Sequence, residues 1–418
     1  MEPSAAPPAA TLDAHARCSP VTWDVGDLAI ALRTKIGVRG HPGVDGALLA
    51  LGEALRRGRA GPPTPTGGRL RALDLTGAPA AMPLWAAAAG VDADWTVALA
   101  SAAALLAARE ALAAAKVDAA TLTAALPWEV AGPFDWIVWR PPADRGVRRV
   151  RAELAAVAAA LAPEGSALLV QHKDEGAQRG EREAAAAFAS VETVERASGW
   201  RVSELRGPRP VPPVDPWLAF APAAAAGAGG PARAIVGAFA AEKLDPGTAV
   251  LLRARADGRA AVAGEAGTPR RVLDLGCGTG LLGRAALAAG ARAVVAVDDD
   301  LAAVRSASAQ LAGDPRAVVV HADLLRPVDA ARAPLLAAGG FDEVWCNPPF
   351  HVGRQVVGAL SRAFVAAAQQ ALRPGGVAWF VVNRALPYER ELAAWGEHAD
   401  VTPEGERAFT VWRAVRGR

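Results

Sequence analysis

The residues with the clearest capacity for chemistry form one short stretch, Asn347-Pro348-Pro349-Phe350, which follows the apolar run Val344-Trp345-Cys346. That run predicts a buried strand, and the two prolines prevent the strand from continuing. The tetrapeptide should therefore lie at the carboxyl end of the strand, the edge of an open α/β sheet where ligands bind. A carboxamide, a proline carbonyl and an aromatic ring at that edge would suit a flat substrate that carries an amino group.

A second candidate stretch, residues 271–283, combines a predicted strand, a glycine-rich turn and a predicted helix. Glycines in such a turn let the backbone approach a nucleoside-bearing ligand closely. Asp274 stands just before them, where a carboxylate disfavours a pyrophosphate but suits a cation or an ammonium group. This aspartate, and a sequence without a hydride-transfer constellation, argue against an NAD site.

Two further aspartates end the next two predicted strands. Asp298 follows the run 294–297, where an acid can bond ribose hydroxyls, and Asp323 ends the third strand, where a carboxylate can accept from an adenine amino group. Taken singly, each aspartate is equally typical of a helix cap. Together and in this order, the elements predict a pocket for S-adenosylmethionine. The predicted cofactor-binding residues are Asp274, Gly276, Cys277, Gly278, Gly280, Asp298, Asp323 and Asn347.

The elements that must position these residues alternate regularly between strand and helix. In the first half, strand-like runs at 70–75, 95–99, 134–139 and 166–171 are separated by helical patterns. Such alternation predicts a parallel, doubly wound sheet. The second half repeats the first, so we predict two tandem Rossmann-like α/β domains. The matching segments are Leu73-Asp74-Leu75 with Leu273-Asp274-Leu275, Phe134-Asp135 with Phe341-Asp342, and Arg140-Pro141-Pro142 with Asn347-Pro348-Pro349.

The two copies differ where the second carries its candidate chemistry. Thr76-Gly77-Ala78-Pro79 stands in place of the glycine turn, and its bulk should prevent close backbone approach to a ligand. Arg140 stands in place of Asn347. The first copy is therefore expected to be degenerate and to serve as a platform for substrate or a partner. The expected organisation is a flexible N-terminus at 1–20, the degenerate copy at 21–205, a Pro/Ala/Gly-rich linker at 206–232 and the catalytic copy at 233–418.

The composition predicts a soluble globular protein. Its 418 residues are enough for two or three domains, and a formal net charge of only +2 excludes a global basic field, although a local basic face remains open. Three cysteines, Cys18, Cys277 and Cys346, lie far apart without metal-ligand spacing, which favours a reducing cytoplasmic setting without a metal site. The N-terminus lacks a signal-peptide pattern, and the alanine-rich stretch 97–115 predicts a buried helix rather than a membrane span.

On these motifs, the second half resembles the class I S-adenosylmethionine-dependent methyltransferases, and Asn347-Pro348-Pro349-Phe350 matches the motif of those that methylate planar nitrogen. From about residue 20 onward the chain is similar to the bacterial ribosomal RNA guanine-N2 methyltransferases of the small and large subunits, in which a degenerate methyltransferase domain precedes an active one. The segments that carry this resemblance are Phe239, Leu244-Asp245-Pro246-Gly247-Thr248, His351-Val352-Gly353, Asn383-Arg384-Ala385-Leu386-Pro387-Tyr388, Phe409-Thr410-Val411 and Lys173-Asp174-Glu175-Gly176-Ala177.

The resemblance implies methylation of the exocyclic N2 amine of a guanine in ribosomal RNA, with the 16S type favoured over the 23S type. The Asn347 side-chain oxygen and the Pro348 carbonyl would accept the two amino hydrogens, Phe350 would stack on the base, and His351 would contact the substrate. Catalysis would then rest on positioning and electrostatics, without a metal. The expected partner is ribosomal RNA or a ribosomal subunit, and the expected state is a monomer.

Two other classes of function stay open. A protein-glutamine N5 or adenine N6 methyltransferase would carry a similar tetrapeptide, but the glutamine enzymes commonly have tyrosine in the fourth position and a small helical leading domain. A non-catalytic RNA-binding ribosome assembly factor is disfavoured by the intact Asn347.

Overall fold

The computed structural model describes residues 7–64, 68–220, 232–256, 270–349, 354–386, 388–393, 395 and 397–417. The chain divides into two compact units. The first unit is Cys18–Pro216, and the second combines Met1–Arg17 with Trp217–Arg418. The beginning of the chain therefore belongs to the same unit as its end.

The described chain opens with helix α1 (Pro8–Ala16), which is part of the second unit. The first unit then contains a separate hairpin and a seven-stranded sheet in the order β5-β4-β3-β6-β7-β9-β8. Its elements are β1 (Ser19–Val25), β2 (Leu28–Thr34), α2 (Gly46–Arg56), β3 (Leu70–Leu75), α3 (Ala81–Ala89), β4 (Ala93–Ala98), α4 (Ala102–Ala115), β5 (Ala120–Thr123), β6 (Phe134–Trp139), α5 (Val147–Ala160), β7 (Leu161–His172), α6 (Ala177–Ala187), β8 (Phe188–Ala197) and β9 (Trp200–Pro208). Short 3-10 helices lie at Pro127–Glu129, Ala143–Arg145 and Lys173–Glu175.

The second unit contains an eight-stranded sheet in the order β15-β14-β13-β12-β16-β17-β19-β18. Its elements are β10 (Trp217–Phe220), β11 (Ala232–Ile235), α7 (Pro246–Ala256), β12 (Arg271–Leu275), α8 (Leu281–Ala288), β13 (Ala293–Asp298), α9 (Leu301–Leu311), β14 (Ala317–Asp323), β15 (Arg326–Pro327), β16 (Phe341–Cys346), α10 (Arg354–Ala371), β17 (Leu372–Asn383), α11 (Tyr388–Ala393), β18 (His398–Asp400) and β19 (Phe409–Val415). A 3-10 helix spans Ala330–Leu336.

Apart from the short β15 at one edge, the two sheets share one topology. In each unit, five strands run parallel. The last two strands of the unit extend this sheet, and the final strand lies next to the parallel set and pairs antiparallel with it. The parallel strands are apolar on both faces, as strands covered by helices on both sides must be. Leu273, Val344 and Trp379 are fully buried examples. The predicted pair of tandem Rossmann-like domains is therefore confirmed.

The central strand β12 pairs in parallel with β13 on one side and with β16 on the other. The chain order of the sheet reverses at this strand, so the crevice at the carboxyl ends of β12 and β16 is the topological switch point of the sheet. The glycine turn follows β12 and Asn347 follows β16. The fold therefore brings the two candidate stretches to one site.

The predicted flexible N-terminus at 1–20 is wrong for residues 8–16, which form α1. Proline suits the first turn of a helix, and the alanine-rich sequence favours helix propagation. Leu12 packs against the apolar core of the second unit, and His15 is buried there. Tertiary contacts therefore hold a segment whose composition alone suggested mobility.

The predicted linker at 206–232 also differs from the structure. Strand β9 extends to Pro208, and β10 pairs antiparallel with β11, so both ends of the expected linker carry strands. The second unit begins again at Trp217 rather than at 233. Among the helices that the structure describes, none combines the length and the apolarity that crossing a membrane requires.

Candidate active site

The glycine turn between β12 and α8 is held in place by backbone hydrogen bonds. The amide nitrogens of Gly276 and Cys277 donate to the carbonyl of Val297 in β13, at 3.0 and 2.9 Å. Gly276, Gly278 and Gly280 all have positive φ, at +75°, +51° and +81°. Side chains rarely adopt this conformation, so the sequence uses glycine here to turn the chain sharply at the sheet edge.

Asp274 lies beneath the turn rather than in the open pocket. Its side chain is fully buried, and Oδ2 accepts a hydrogen bond from the Gly283 amide at 2.8 Å, which ties β12 to the start of α8. Burial and the charge of Asp298 raise the pKa of Asp274 to about 7. Within the described residues Oδ1 has no hydrogen-bond partner. The observed role is to hold the turn, and the expected contact with an ammonium group stays a prediction.

Asp298 braces the same turn from the neighbouring strand. Its Oδ2 accepts from the Gly278 amide and its Oδ1 from the Asp300 amide, both at 2.9 Å. Asp300 in turn caps α9, because its side chain accepts from the Ala302 amide at 3.0 Å. Asp298 is partly exposed at the end of β13, so a ligand hydroxyl has access to it.

Cys277 contributes shape rather than charge. Burial and the nearby carboxylates of Asp298 and Asp274 raise the pKa of the Cys277 thiol well above its usual value. The group is therefore a neutral, buried thiol at neutral pH and not a nucleophilic thiolate.

Asn347 is clamped through its amide nitrogen. Nδ2 donates to Asp245 Oδ2 at 2.8 Å and to Thr248 Oγ1 at 2.9 Å, and these two acceptors lie at the start of α7. Asn347 Oδ1 is buried and has no hydrogen-bond partner among the described residues. Both amide hydrogens are thus used, and the carbonyl oxygen is left as an acceptor. Asp245 and Thr248 belong to a segment that carries the family resemblance, but no local sequence pattern assigns either of them a role at the site.

A pocket joins the Asn347 amide to the glycine turn. Phe239, which is 43% exposed, lies over this turn, since a Cβ on Gly278 would meet its ring at 3.6 Å. The lining residues are Phe239, Ala240, Asp245, Thr248, Gly276, Cys277, Gly278, Thr279, Leu281, Leu282 and Asn347. Gly276 and Gly278 present backbone to this pocket, and Asn347 Oδ1 is an acceptor without a partner among the described residues. These features fit a nucleoside-bearing methyl donor beside an amine substrate.

Two of the predicted substrate contacts, Phe350 and His351, lie outside the described residues. Pro348 is described and is buried next to Asn347. The roles assigned to these three residues stay predictions.

Asp323 has a partner that the sequence did not suggest. His15 Nε2 of α1 lies 2.8 Å from Asp323 Oδ1, and both residues are buried. Arg326 Nη1 also donates to the Ala16 carbonyl at 2.9 Å, close to the end of α1. The carboxylate expected to meet an adenine amine therefore also fastens the N-terminal helix to the sheet.

Replacing His15 with alanine should lower the free energy of unfolding by about 1–3 kcal/mol, because Asp323 Oδ1 then loses its buried donor. Asp13→Ala is the matched control on the same helix, since Asp13 is exposed, and it should change stability by less than about 0.5 kcal/mol. Urea denaturation of both variants measures the difference. Equal midpoints for the two would show that the contact contributes nothing.

The first unit has a pocket at the corresponding position, but its lining differs and includes Asp45, Thr76 and Arg140. Arg140, in the place of Asn347, is buried with Nη2 3.3 Å from Glu175 Oε1 and its guanidinium 5.0 Å from the centre of the Trp200 ring. Asp74, in the place of Asp274, accepts from the Thr76 hydroxyl at 2.6 Å and from its amide at 2.9 Å. Arg140 Nε and Nη1 and Glu175 Oε2 are buried without a hydrogen-bond partner among the described residues, so these side chains pair only in part.

A protein-family model described as "Methyltransferase small domain" matches residues 30–204 and 232–413 of the chain. A solved structure of the T. thermophilus 16S rRNA N2 G1207 methyltransferase, in complex with AdoMet and guanosine, is similar to this chain. The similarity covers 97% of this chain and 99% of the chain in that structure. Its sequence is 32% identical and its TM-score is 0.75. The similarity to this structure therefore spans both units.

Curated relatives are similar over shorter stretches. Ribosomal RNA small subunit methyltransferase C of Alcanivorax borkumensis is 36% identical over 180 residues, which are 43% of this chain and 50% of the relative. Ribosomal RNA large subunit methyltransferase G of Streptomyces griseus is 38% identical over 182 residues, or 43% of this chain and 44% of the relative. The chain thus spans half or less of the length of the curated relatives it matches.

Proposed function

Because the chain belongs to the methyltransferase small domain family, we propose that it transfers a methyl group from S-adenosylmethionine to the N2 amine of a guanine in ribosomal RNA. The observation that carries this proposal is the Asn347 amide. Its hydrogens are bound by Asp245 and Thr248, and its oxygen is an unpaired buried acceptor in the pocket of the glycine turn. An acceptor of this kind selects a substrate that brings hydrogen-bond donors, as an exocyclic amine does.

The second unit offers suitable contacts for the methyl donor. The backbone of Gly276 and Gly278 would lie against its amino-acid part, and Asp298 at the end of β13 would receive the ribose hydroxyls. When bound, S-adenosylmethionine supplies a methyl group on a sulfonium sulfur, which becomes a neutral thioether once the methyl carbon has bonded to the amine nitrogen.

Asn347 and Pro348 act on the substrate amine. The lone pair of an exocyclic guanine nitrogen is delocalised into the ring, which makes this nitrogen a weak nucleophile. Hydrogen bonds from the amine to Asn347 Oδ1 and to the Pro348 carbonyl would fix its direction and favour a pyramidal nitrogen. The methylated nitrogen then releases one proton to solvent. Neither acceptor is basic enough to take that proton, so both residues only orient the amine.

The small ribosomal subunit is the favoured source of the substrate. The similarity to the T. thermophilus 16S rRNA enzyme extends over 97% of this chain, which supports a shared use of both units. The degenerate first unit would then serve as a platform for RNA, with the second unit carrying out the transfer.

The test is a transfer assay with the purified chain and isotope-labelled S-adenosylmethionine. The acceptors are small subunits, large subunits and a peptide-chain release factor, and the labelled RNA is digested and mapped by mass spectrometry. Label in N2-methylguanosine of small-subunit RNA is the expected result. Label in large-subunit RNA would reassign the subunit, and label in adenine or in the release factor would contradict the proposal. Binding of RNA without any transfer would favour the assembly-factor alternative.

A further inference from the structure

The orientation of the Asn347 amide is set by two residues from a distant part of the chain. A carboxamide can rotate by half a turn and exchange its oxygen and nitrogen positions, so something must decide which end faces the substrate. An ionised carboxylate can only accept hydrogen bonds, and Asp245 Oδ2 lies 2.8 Å from Asn347 Nδ2. The rotated amide would bring its oxygen against this carboxylate.

We infer that Asp245 and Thr248 are positioning residues that hold the Asn347 amide with its oxygen toward the substrate amine. This inference rests on the proposed function, because it assigns the two side chains their part in the same transfer. Without them the amide would be free to present Nδ2, a donor, to an amine that is itself a donor. With Nδ2 facing the substrate, two hydrogen-bond donors would oppose each other and the substrate amine would bind poorly.

The start of α7 makes Asp245 rigid enough for this task. Asp245 Oδ2 also accepts from the Thr248 backbone amide at 2.8 Å, so the carboxylate caps the helix and grips the amide with one oxygen. Gly247 lies between the two residues, and a Cβ there would approach Asp245 Oδ2 and the Phe409 ring, each at 3.1 Å. The turn is therefore packed closely on both sides, with Asp245 and Thr248 both facing Asn347.

The first unit has an aspartate that corresponds to Asp245 but no amide that corresponds to Asn347. Asp45 precedes α2 as Asp245 precedes α7, and it accepts from the Ala47 amide at 2.7 Å. Its neighbour is Arg140, whose Nε lies 3.6 Å from Asp45 Oδ1. Leu48 occupies the position that corresponds to Thr248, so the hydroxyl acceptor is absent there. A carboxylate that caps a helix is thus common to both units, and only the second unit directs it at a carboxamide.

The decisive experiment exchanges the two groups. Asn347→Asp alone places a carboxylate against Asp245 and should lower kcat by at least about 100-fold. Adding Asp245→Asn gives the new carboxylate a donor on one side and leaves its other oxygen as an acceptor for the substrate amine. This double variant should recover at least about tenfold in kcat over Asn347→Asp.

The single variant Asp245→Asn separates positioning from folding. Asparagine caps a helix as well as aspartate does, so the free energy of unfolding should change little. The loss of orientation should lower kcat by about tenfold, while KM for RNA and Kd for S-adenosylmethionine stay within about threefold. Thr248→Ser should keep more activity than Thr248→Ala, since serine retains the hydroxyl acceptor. Asp45→Asn, the same change in the first unit, should leave kcat unaltered.

The outcomes separate the inference from the proposed function. An active wild type with no recovery in the exchanged double variant, while that variant still binds S-adenosylmethionine, would overturn the positioning role. An Asp245→Asn variant that loses cofactor affinity but keeps its kcat would assign Asp245 to the cofactor instead, which would also overturn it. If the double variant does not fold, equal activity of the two Thr248 variants decides against the inference, and a clear serine advantage supports it. A wild type that methylates no RNA defeats the proposed function itself.

Discussion

Replacing Asn347 with alanine should lower kcat for methyl transfer by about 100- to 1000-fold, because the amine loses the acceptor that fixes its direction. Affinity for S-adenosylmethionine should stay within about threefold, since the glycine turn and Asp298 remain in place. Single-turnover kinetics with RNA in excess gives the first quantity, and calorimetric titration of the cofactor gives the second. A loss confined to KM would mean that Asn347 binds RNA without acting on the amine.

Asn383→Ala is the matched control, because Asn383 is the chain's other asparagine and also ends a strand of the same sheet. Its side-chain oxygen accepts from the Ala385 amide at 2.9 Å, so it is engaged locally. This variant should keep kcat within a few-fold of the wild type. Full activity in a folded Asn347→Ala variant would remove the amide from the mechanism.

Gly280→Ala should destabilise the second unit by about 2–4 kcal/mol, from the cost of a left-handed alanine and of overpacking. Gly280 has a φ of +81°, and a Cβ there would lie 2.9 Å from the Cα of Ala307, a buried residue of α9. Because backbone cannot yield as a flexible side chain can, either the turn or α9 must shift. Cofactor affinity should therefore fall by at least about tenfold, equivalent to about 1.4 kcal/mol. Urea denaturation and calorimetry measure the two effects.

Gly290→Ala separates conformational strain from contact. Gly290 has a φ of +85°, almost the same as Gly280, but nothing lies within 4 Å of the Cβ that alanine would add. This control should cost only about 1–2 kcal/mol and should leave cofactor affinity unchanged. If both variants behaved alike, the close approach of α9 to the turn would have no energetic weight.

Much of the fold could be predicted because its strands are short apolar runs with clear boundaries. The predicted strand at 70–75 coincides with β3, and the predicted strand at 134–139 coincides with β6. The prediction at 166–171 was too short, since β7 covers Leu161–His172. Its pairing with β6 shifts register between Phe134 and Trp136, so the strand passes through Pro163-Glu164-Gly165, which a local pattern interprets as a turn.

Only those parts of the candidate site that form contiguous sequence motifs could be predicted. Asn347 and the glycine turn are contiguous motifs, whereas the acceptors that orient the amide come from positions 99 and 102 residues away. His15 is separated from Asp323 by 308 residues and lies in a segment of low complexity. Nothing in a local pattern indicates which distant polar side chains will meet, because that depends on how the finished sheet brings its helices together.

The docking of α1 has a consequence for how the protein is made. Synthesis proceeds from the N-terminus at roughly 5–20 residues per second, so the 308 residues that follow His15, up to and including Asp323, take about 15–60 s to add. During that interval the whole of Cys18–Pro216 emerges and can complete its own sheet. Helix α1 is translated long before the surface that it packs against. The first unit can therefore fold while the second unit is still incomplete, because its sequence lies between the two segments of the second unit. Gene fragments that start at the second sheet would therefore encode the second unit without its first helix.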